Sequence, residues 1–117
     1  MAIDETVRQK VERLWPTPEQ RAQVAQLLDS YGSESYEREV ARVQLAIVKL
    51  SQGQLERVGE LVALAKRDYR DVLMWAEYPS EGRALWSLRR DLSAEERARL
   101  AEIRKQDREQ YLAWLKG

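Results

Sequence analysis

Apolar residues recur every three or four positions along most of the chain, which is the spacing of amphipathic helices. Prolines, glycines and short polar capping residues separate these periodic segments. The pattern predicts six helices, over residues 4–15, 17–31, 35–52, 55–78, 81–90 and 93–115. No segment shows the sustained alternation of apolar and polar residues that is typical of a half-buried strand. We therefore expect an all-α fold, in which residues 1–117 form a single-domain bundle of five to six helices.

The two helices over residues 35–52 and 55–78 are expected to form an antiparallel hairpin at the centre of this bundle. Their connection, around residues 51–53, is short, and a short connection favours antiparallel neighbours. The first of them, capped by Ser33 or Ser35, is apolar on two sides, which is usual for a helix in the middle of a bundle. Its two apolar groups are Tyr36, Val40, Val43, Ala46, Ile47 and Leu50 on one side and Ala41, Leu45 and Val48 on the other.

Capping residues mark several of the predicted helix starts. Thr17 and Ser93 are followed three residues later by Gln20 and Glu96, which is the spacing of a capping box. Ser80 comes directly after a proline that ends the fourth helix, and it is the expected cap of the fifth.

The composition narrows the possible chemistry. The chain has no cysteine and no histidine, which excludes disulfides, zinc–thiolate sites, Cys–His or Ser–His catalysis and histidine-ligated di-iron centres. Its five glycines are scattered singly, so it has no glycine-rich phosphate loop, and we expect no cofactor. Twenty basic residues balance twenty acidic ones, which gives no sign of long-range attraction to nucleic acid or an anionic membrane and mildly favours self-association. The start has no signal-peptide pattern and no apolar run could span a membrane, so a cytoplasmic protein is expected.

Asp68 and Asp71 are the candidate catalytic or metal-binding residues. Two carboxylates three positions apart point the same way on a helix, and on a continuous helix Asp68 falls between Leu61 and Trp75, within an apolar stripe. In a cleft, such a pair would hold Mg²⁺ or Mn²⁺, which favour oxygen ligands, and would indicate a metal-dependent hydrolase. The alternative is that the aspartates pair with arginines of a neighbouring helix, because a buried carboxylate needs a partner.

Tyr69, Trp75, Tyr78 and Trp86 form an aromatic group, and three of its members converge around the turn at Pro79. If exposed, they would form an interaction patch, because tryptophan and tyrosine dominate the hot spots of protein interfaces. If buried, they would close the core of a chain that has no phenylalanine. The sequence leaves both interpretations open.

Arginines are grouped in three places: Arg38 and Arg42 share one helix face, Arg67 and Arg70 lie on the polar side of the fourth helix, and Arg89 and Arg90 are adjacent in the sequence. A basic stripe of this kind binds a phosphate backbone. Acidic residues lie among all three groups, however, and solvated faces with weak pairs inside each helix explain the pattern better. Nucleic-acid binding is therefore a less favoured hypothesis.

Two resemblances to known proteins are visible. Residues 43–53 and 65–79 resemble a pattern in small bacterial all-helical proteins to which no activity is attached, which implies a bacterial origin but no site residues. In addition, Glu34-x-x-Glu37 and Asp68-x-x-Asp71 are similar in outline to the acidic pairs on consecutive helices of MazG-type nucleotide pyrophosphatases. The first pair departs from that pattern by lying at a helix start, and the second begins with aspartate.

The preferred hypothesis is a small helical protein without catalytic activity that acts through contacts with a protein partner or with itself as a homodimer. The interaction patch would contain Tyr69, Trp75, Tyr78 and Trp86. A metal-dependent hydrolase using Asp68 and Asp71 is the alternative from another class, and a weak nucleic-acid binder using the arginine faces is the third.

Overall fold

The computed structural model of this chain describes residues 4–32, 37–87 and 92–117, and of residues 85–87 it describes the backbone alone. The described residues form six α-helices and no strand, which confirms the predicted all-α class. The helices are α1 (Glu5–Leu14), α2 (Pro18–Asp29), α3 (Val40–Ser51), α4 (Leu55–Glu77), α5 (Pro79–Ser87) and α6 (Ala94–Lys116). The chain divides into two compact units, an N-terminal unit of residues 1–73 and a C-terminal unit of residues 74–117. The single domain over residues 1–117 stays a prediction.

Local capping starts α2 and α6 as the sequence predicts. The Ser93 hydroxyl accepts from the N–H of Glu96 at 3.1 Å, and the Glu96 carboxylate accepts from the N–H of Ser93 at 3.0 Å, which completes a capping box. At α2, the Thr17 hydroxyl accepts from the N–H of Gln20 at 3.2 Å. The Gln20 side-chain oxygen has no hydrogen-bond partner among the described residues, so this second box is only half formed.

The core of the N-terminal unit is built around α1 and α3. Helix α1 packs against both α2 and α3. Both predicted apolar sides of α3 are buried, since Ile47 and Val48 are each 0% exposed. Gln44, also buried, donates its side-chain N–H groups to the carbonyls of Leu28 at 2.8 Å and Tyr31 at 3.3 Å. Leu28 lies in the last turn of α2 and Tyr31 two residues beyond its end, so the Gln44 side chain fixes α3 against the C-terminal end of α2.

Helix α3 begins later than the sequence predicts. Residues 37–39 are not helical and Glu39 has a left-handed backbone, so the expected start near Ser33 or Ser35, two residues that lie outside the described ones, is wrong. The reason is tertiary: the Glu37 side chain is only 1% exposed, and its Oε1 accepts from the N–H of Gly32 at 2.8 Å. That contact holds Glu37 away from the helix that its sequence position favours.

In the C-terminal unit α5 packs against α6, and a buried aspartate joins the two helices. Pro79, not a residue after Ser80, is the first residue of α5, so the predicted Ser80 cap is wrong. Asp107 of α6 is 2% exposed, and its Oδ2 accepts from the N–H of Glu81 in the first turn of α5 at 2.9 Å. The aspartate thereby satisfies an N–H that has no partner inside α5. In the stretch without apolar residues over 104–110, Asp107 is buried and the other six residues are exposed, so solvent exposure accounts for most of that stretch and this contact for Asp107.

Candidate functional site

Helix α4 is interrupted at Asp68, whose backbone is extended (φ −156°, ψ 97°) rather than helical. Its Oδ1 accepts a hydrogen bond from the backbone N–H of Arg70 at 3.1 Å and pairs with the Nε of Arg70 at 3.2 Å. An extended residue whose side chain accepts from the N–H two positions later has the geometry of an N-cap. The predicted continuous helix over 55–78 is therefore wrong at this residue, and Asp68 caps the second segment of α4.

The break changes the surroundings of both candidate aspartates. The Asp68 side chain is 42% exposed, and Asp71 is exposed as well. Asp68 does not lie in a buried stripe between Leu61 and Trp75, because Leu61 is buried and Trp75 is exposed. Its arginine partner comes from α4 itself and not from a neighbouring helix. Among the described residues, no group of three or more Asp or Glu side chains is placed to hold a metal ion.

A pocket of about 230 Å³ lies at the break, within the N-terminal unit. Its walls are the six consecutive residues 65–70 together with Tyr31 and Glu37. In a regular helix, with about 3.6 residues per turn, six consecutive side chains point in all directions around the axis. They line one pocket here because the backbone changes direction at Asp68.

An ion pair between a buried glutamate and an exposed lysine forms one side of this pocket. Glu37 Oε2 lies 3.1 Å from Lys66 Nζ, and the Glu37 side chain is far more buried than that of Lys66, which is 36% exposed. Tyr31 lies beside it, 1% exposed, and its hydroxyl donates to the Arg38 carbonyl at 2.7 Å. Burial raises the pKa of the Tyr31 hydroxyl, and the negative charge of Glu37 adds to the effect. A pocket is thus built from residues more than thirty positions apart.

Sequence reasoning identified only part of this pocket. It named Asp68 and Tyr69 as site candidates, and Glu37 as a member of an acidic pair with Glu34, which lies outside the described residues. It missed Lys66 as the partner of Glu37. No spacing rule predicts this ion pair, because its two residues belong to different segments of the fold.

The predicted aromatic patch is divided between the two units. Tyr69 lines the pocket of the N-terminal unit and is half-buried. Trp75, in the C-terminal unit, is 44% exposed. Tyr78, in the same unit, is half-buried, with the Arg104 guanidinium 4.7 Å from its ring centroid. The Trp86 side chain lies outside the described residues, so one patch formed by all four aromatic residues stays a prediction.

Further apolar side chains are exposed in the C-terminal unit. Met74, next to Trp75, is 39% exposed, and Leu112 of α6 is 41% exposed. Arg108 of α6 donates from Nη1 to the Tyr78 hydroxyl at 3.5 Å. The sequence did not identify Met74 or Leu112 as interface candidates. Where apolar residues surround most of a helix, their spacing does not show which of them are buried and which are exposed.

The arginine faces carry mixed charge where they are described. Arg42 lies 3.9 Å from Glu39, and Arg70 is paired with Asp68. Arg89 and Arg90 lie outside the described residues. The described arginine pairs are exposed, and exposed pairs contribute little to stability.

Comparisons with models of protein families, with curated proteins and with solved structures found no match to this chain. The fold therefore defines only a class, that of a small all-α protein. Within the parts of the chain that the structure describes, no helix has the length and apolar character needed to cross a membrane. The resemblances to bacterial helical proteins and to MazG-type enzymes stay predictions.

Proposed function

We propose that this protein is a non-enzymatic helical interaction protein, and that it binds a second copy of its own chain through the C-terminal unit. The observation that carries the proposal is the exposure of Trp75, whose side chain is 44% exposed while Trp15 is 1% exposed. An indole that stays in water loses the favourable free energy that burial would give it. Tryptophan is also the residue type most enriched in interface hot spots.

Met74, the sequence neighbour of Trp75, and several other residues of the C-terminal unit have the composition of a protein interface. Met74 and Leu112 are exposed, and Tyr78 is contacted by Arg104. Aromatic residues, methionine and arginine are enriched at protein interfaces, whereas lysine and glutamate are depleted. The described part of the C-terminal unit therefore offers the side chains that a protein partner uses.

Charge supports a second copy as the partner. The chain has twenty basic and twenty acidic residues, so two copies do not repel each other through net charge. Most homo-oligomers are symmetric dimers, in which the same surface patch is used twice. A twofold arrangement would bring Trp75 of each copy into the same contact.

Sedimentation velocity over protein concentrations from about 1 µM to about 1 mM, the range of moderate to weak affinities, tests the proposal. We expect the wild type to dimerise within this range. A Trp75→Lys variant places a charge in the contact and should weaken dimerisation by about 30-fold or more, as loss of a hot spot does.

Leu64→Lys is the matched control. Leu64 lies on the same helix, is 37% exposed and belongs to the N-terminal unit, so the substitution adds the same charge at a similar exposure. This variant should dimerise like the wild type. A wild type that remains monomeric at the highest concentration, or a Trp75→Lys variant that dimerises normally, would overturn the proposal.

A further inference from the structure

The pocket at the break in α4 has a chemistry that the proposed interaction surface does not use. It belongs to the N-terminal unit and includes neither Trp75 nor Met74. A second cavity of that unit is lined by Gln23, Gln26, Leu27, Ser30 and Leu55, and none of these described lining residues carries a charge. Of the two, the pocket at the break is the one with groups that would recognise a specific ligand.

Charge is the first property that selects a ligand for this pocket. Among the residues that the structure describes, the walls contain three cations, Lys66, Arg67 and Arg70, and two carboxylates, Glu37 and Asp68, so three positive charges minus two negative charges leave one positive charge. A net positive pocket favours an anion.

Both carboxylates already have cationic partners. Glu37 is paired with Lys66 at 3.1 Å, and Asp68 with Arg70 at 3.2 Å. Arg67 makes no ion pair or hydrogen bond with the other described residues. The Arg67 guanidinium is therefore the cation that remains for a ligand, and it presents several N–H donors in one plane, a geometry that matches phosphate oxygens.

The volume and the lining of the pocket restrict the class of ligand further. A volume of about 230 Å³ is several times the roughly 30 Å³ of a water molecule, but is smaller than the pockets that hold drug-sized ligands. The rings of Tyr31 and Tyr69 and the methyl group of Ala65 also contribute to the walls. The second segment of α4 starts at this pocket, and the positive end of a helix dipole adds to the attraction for an anion.

We propose that this pocket binds a small phosphate, either inorganic phosphate or the phosphate group of a small monoester, with Arg67 as its main ligand. The pair with the buried Glu37 carboxylate holds the lysine ammonium at the pocket wall. Arg67 and Tyr69 both line the pocket at the break. Because the site and the proposed dimer contact lie in different units, each proposal is tested without the other.

Amide NMR spectra of the isotope-labelled full chain provide the test. The protein is titrated with sodium phosphate and, separately, with phenyl phosphate, against sodium chloride at the same ionic strength. We expect saturable shifts of the amide signals of residues 65–70 with a phosphate probe and none with chloride. Tighter binding of phenyl phosphate would identify a monoester as the ligand class, whereas equal binding would identify the phosphate group alone.

Variants of Arg67 show whether this side chain carries the binding. Arg67→Ala should weaken phosphate binding by about tenfold or more, since it removes charge-assisted hydrogen bonds. Arg67→Lys keeps the charge but loses the planar donor pair, so it should weaken binding by less, and it tests the site even if the alanine variant fails to fold.

Arg97→Ala is the control, because Arg97 is an exposed helical arginine of the C-terminal unit. It should bind phosphate like the wild type. The proposal is overturned if neither phosphate probe gives saturable shifts at residues 65–70. It is also overturned if both Arg67 variants bind like the wild type, or if Arg97→Ala weakens binding as much as Arg67→Ala does.

Discussion

Tyr31 and Glu37 show at the residue scale how buried polar groups organise the N-terminal unit. Tyr31 donates to the Arg38 carbonyl and Glu37 accepts from the N–H of Gly32, so both side chains hold the segment before α3. Gly32 has a positive φ of 106°, and a Cβ there would lie 2.8 Å from Val40 Cγ1, so only glycine fits. A buried polar group that loses its partner costs about 1–3 kcal/mol, which makes this network costly to disturb.

The raised pKa of Tyr31 predicts a loss of stability at alkaline pH. Burial favours the neutral hydroxyl in the folded protein, whereas the unfolded chain loses its proton near the usual pKa of about 10. The stabilisation is therefore complete below about pH 10 and is lost as pH rises through the folded-state pKa. We expect the free energy of unfolding, measured by urea denaturation, to fall above about pH 10.

Tyr31→Phe separates this effect from the titration of other groups. The variant should be less stable near neutral pH by about 1 kcal/mol, because it loses one hydrogen bond, and its stability should fall less steeply at alkaline pH. An alkaline loss that is identical in Tyr31→Phe and wild type would contradict the assignment.

At the scale of elements, aspartate side chains cap the starts of two helical segments. Asp68 caps the second segment of α4 by accepting the N–H of Arg70, a near neighbour, whereas Asp107 of α6 accepts the N–H of Glu81 at the start of α5. In both places an aspartate satisfies an N–H that the helix itself leaves without a partner. Asp68 and Arg70 also line the pocket at the break, so the stability of the break and the shape of the pocket are linked.

Substitution of Asp68 tests whether its cap maintains the break. Asp68→Ala removes the acceptor and should lower the free energy of unfolding by about 1 kcal/mol, the typical cost of losing an N-cap. Asp68→Asn removes the charge and keeps the cap, because asparagine caps a helix as well as aspartate does, so its stability should be close to that of the wild type. Urea denaturation followed by far-UV circular dichroism measures both. An alanine variant as stable as the asparagine variant would show that other contacts hold the break.

At the scale of the whole molecule, the absence of histidine and cysteine governs the response to pH. The ionisable side chains that the chain does contain are carboxylates, which ordinarily titrate below about pH 5, and those of tyrosine, lysine and arginine, which ordinarily titrate above about pH 9. Hydrogen bonds from Ser93 lower the pKa of Glu96, which moves that group further from neutrality. The charge of the chain therefore stays nearly constant around neutral pH.

We expect the free energy of unfolding to vary by less than about 1 kcal/mol between about pH 6 and about pH 8. Urea denaturation at several pH values in this range, at constant ionic strength, measures it. Outside this range stability should fall at lower pH, where Glu5 and Glu96, whose folded-state pKa values are lowered, become protonated, and at alkaline pH, where Tyr31 loses its proton. A larger change near neutrality would reveal an ionisable group with a strongly displaced pKa, and the buried residues Lys10 and Glu37 would be the first to examine.

The sequence determined the all-α class and several helix ends, because these depend on nearby residues. Apolar spacing sets the helical faces, Thr17 and Ser93 cap the helices that follow them, and a proline separates α4 from α5. Such signals act over one or two helical turns, so they are readable in the chain itself. The sequence also predicts Trp75 as a member of the interaction patch, and Trp75 is exposed in the structure.

Only the tertiary structure decided the break at Asp68, the late start of α3 and the cap that Asp107 supplies to α5. A continuous helix through Asp68 is what the apolar spacing favours, whereas in the structure Asp68 is extended and caps the segment that follows it through the N–H of Arg70. Differences in helix propensity are less than about 1 kcal/mol per residue, so a contact such as that of Asp107 with the N–H of Glu81 is enough to decide where a helix starts. The Glu37–Lys66 pair joins positions with no local relation in the sequence. For this reason the sequence predicted the helices of this protein, whereas the pocket at the break required the structure.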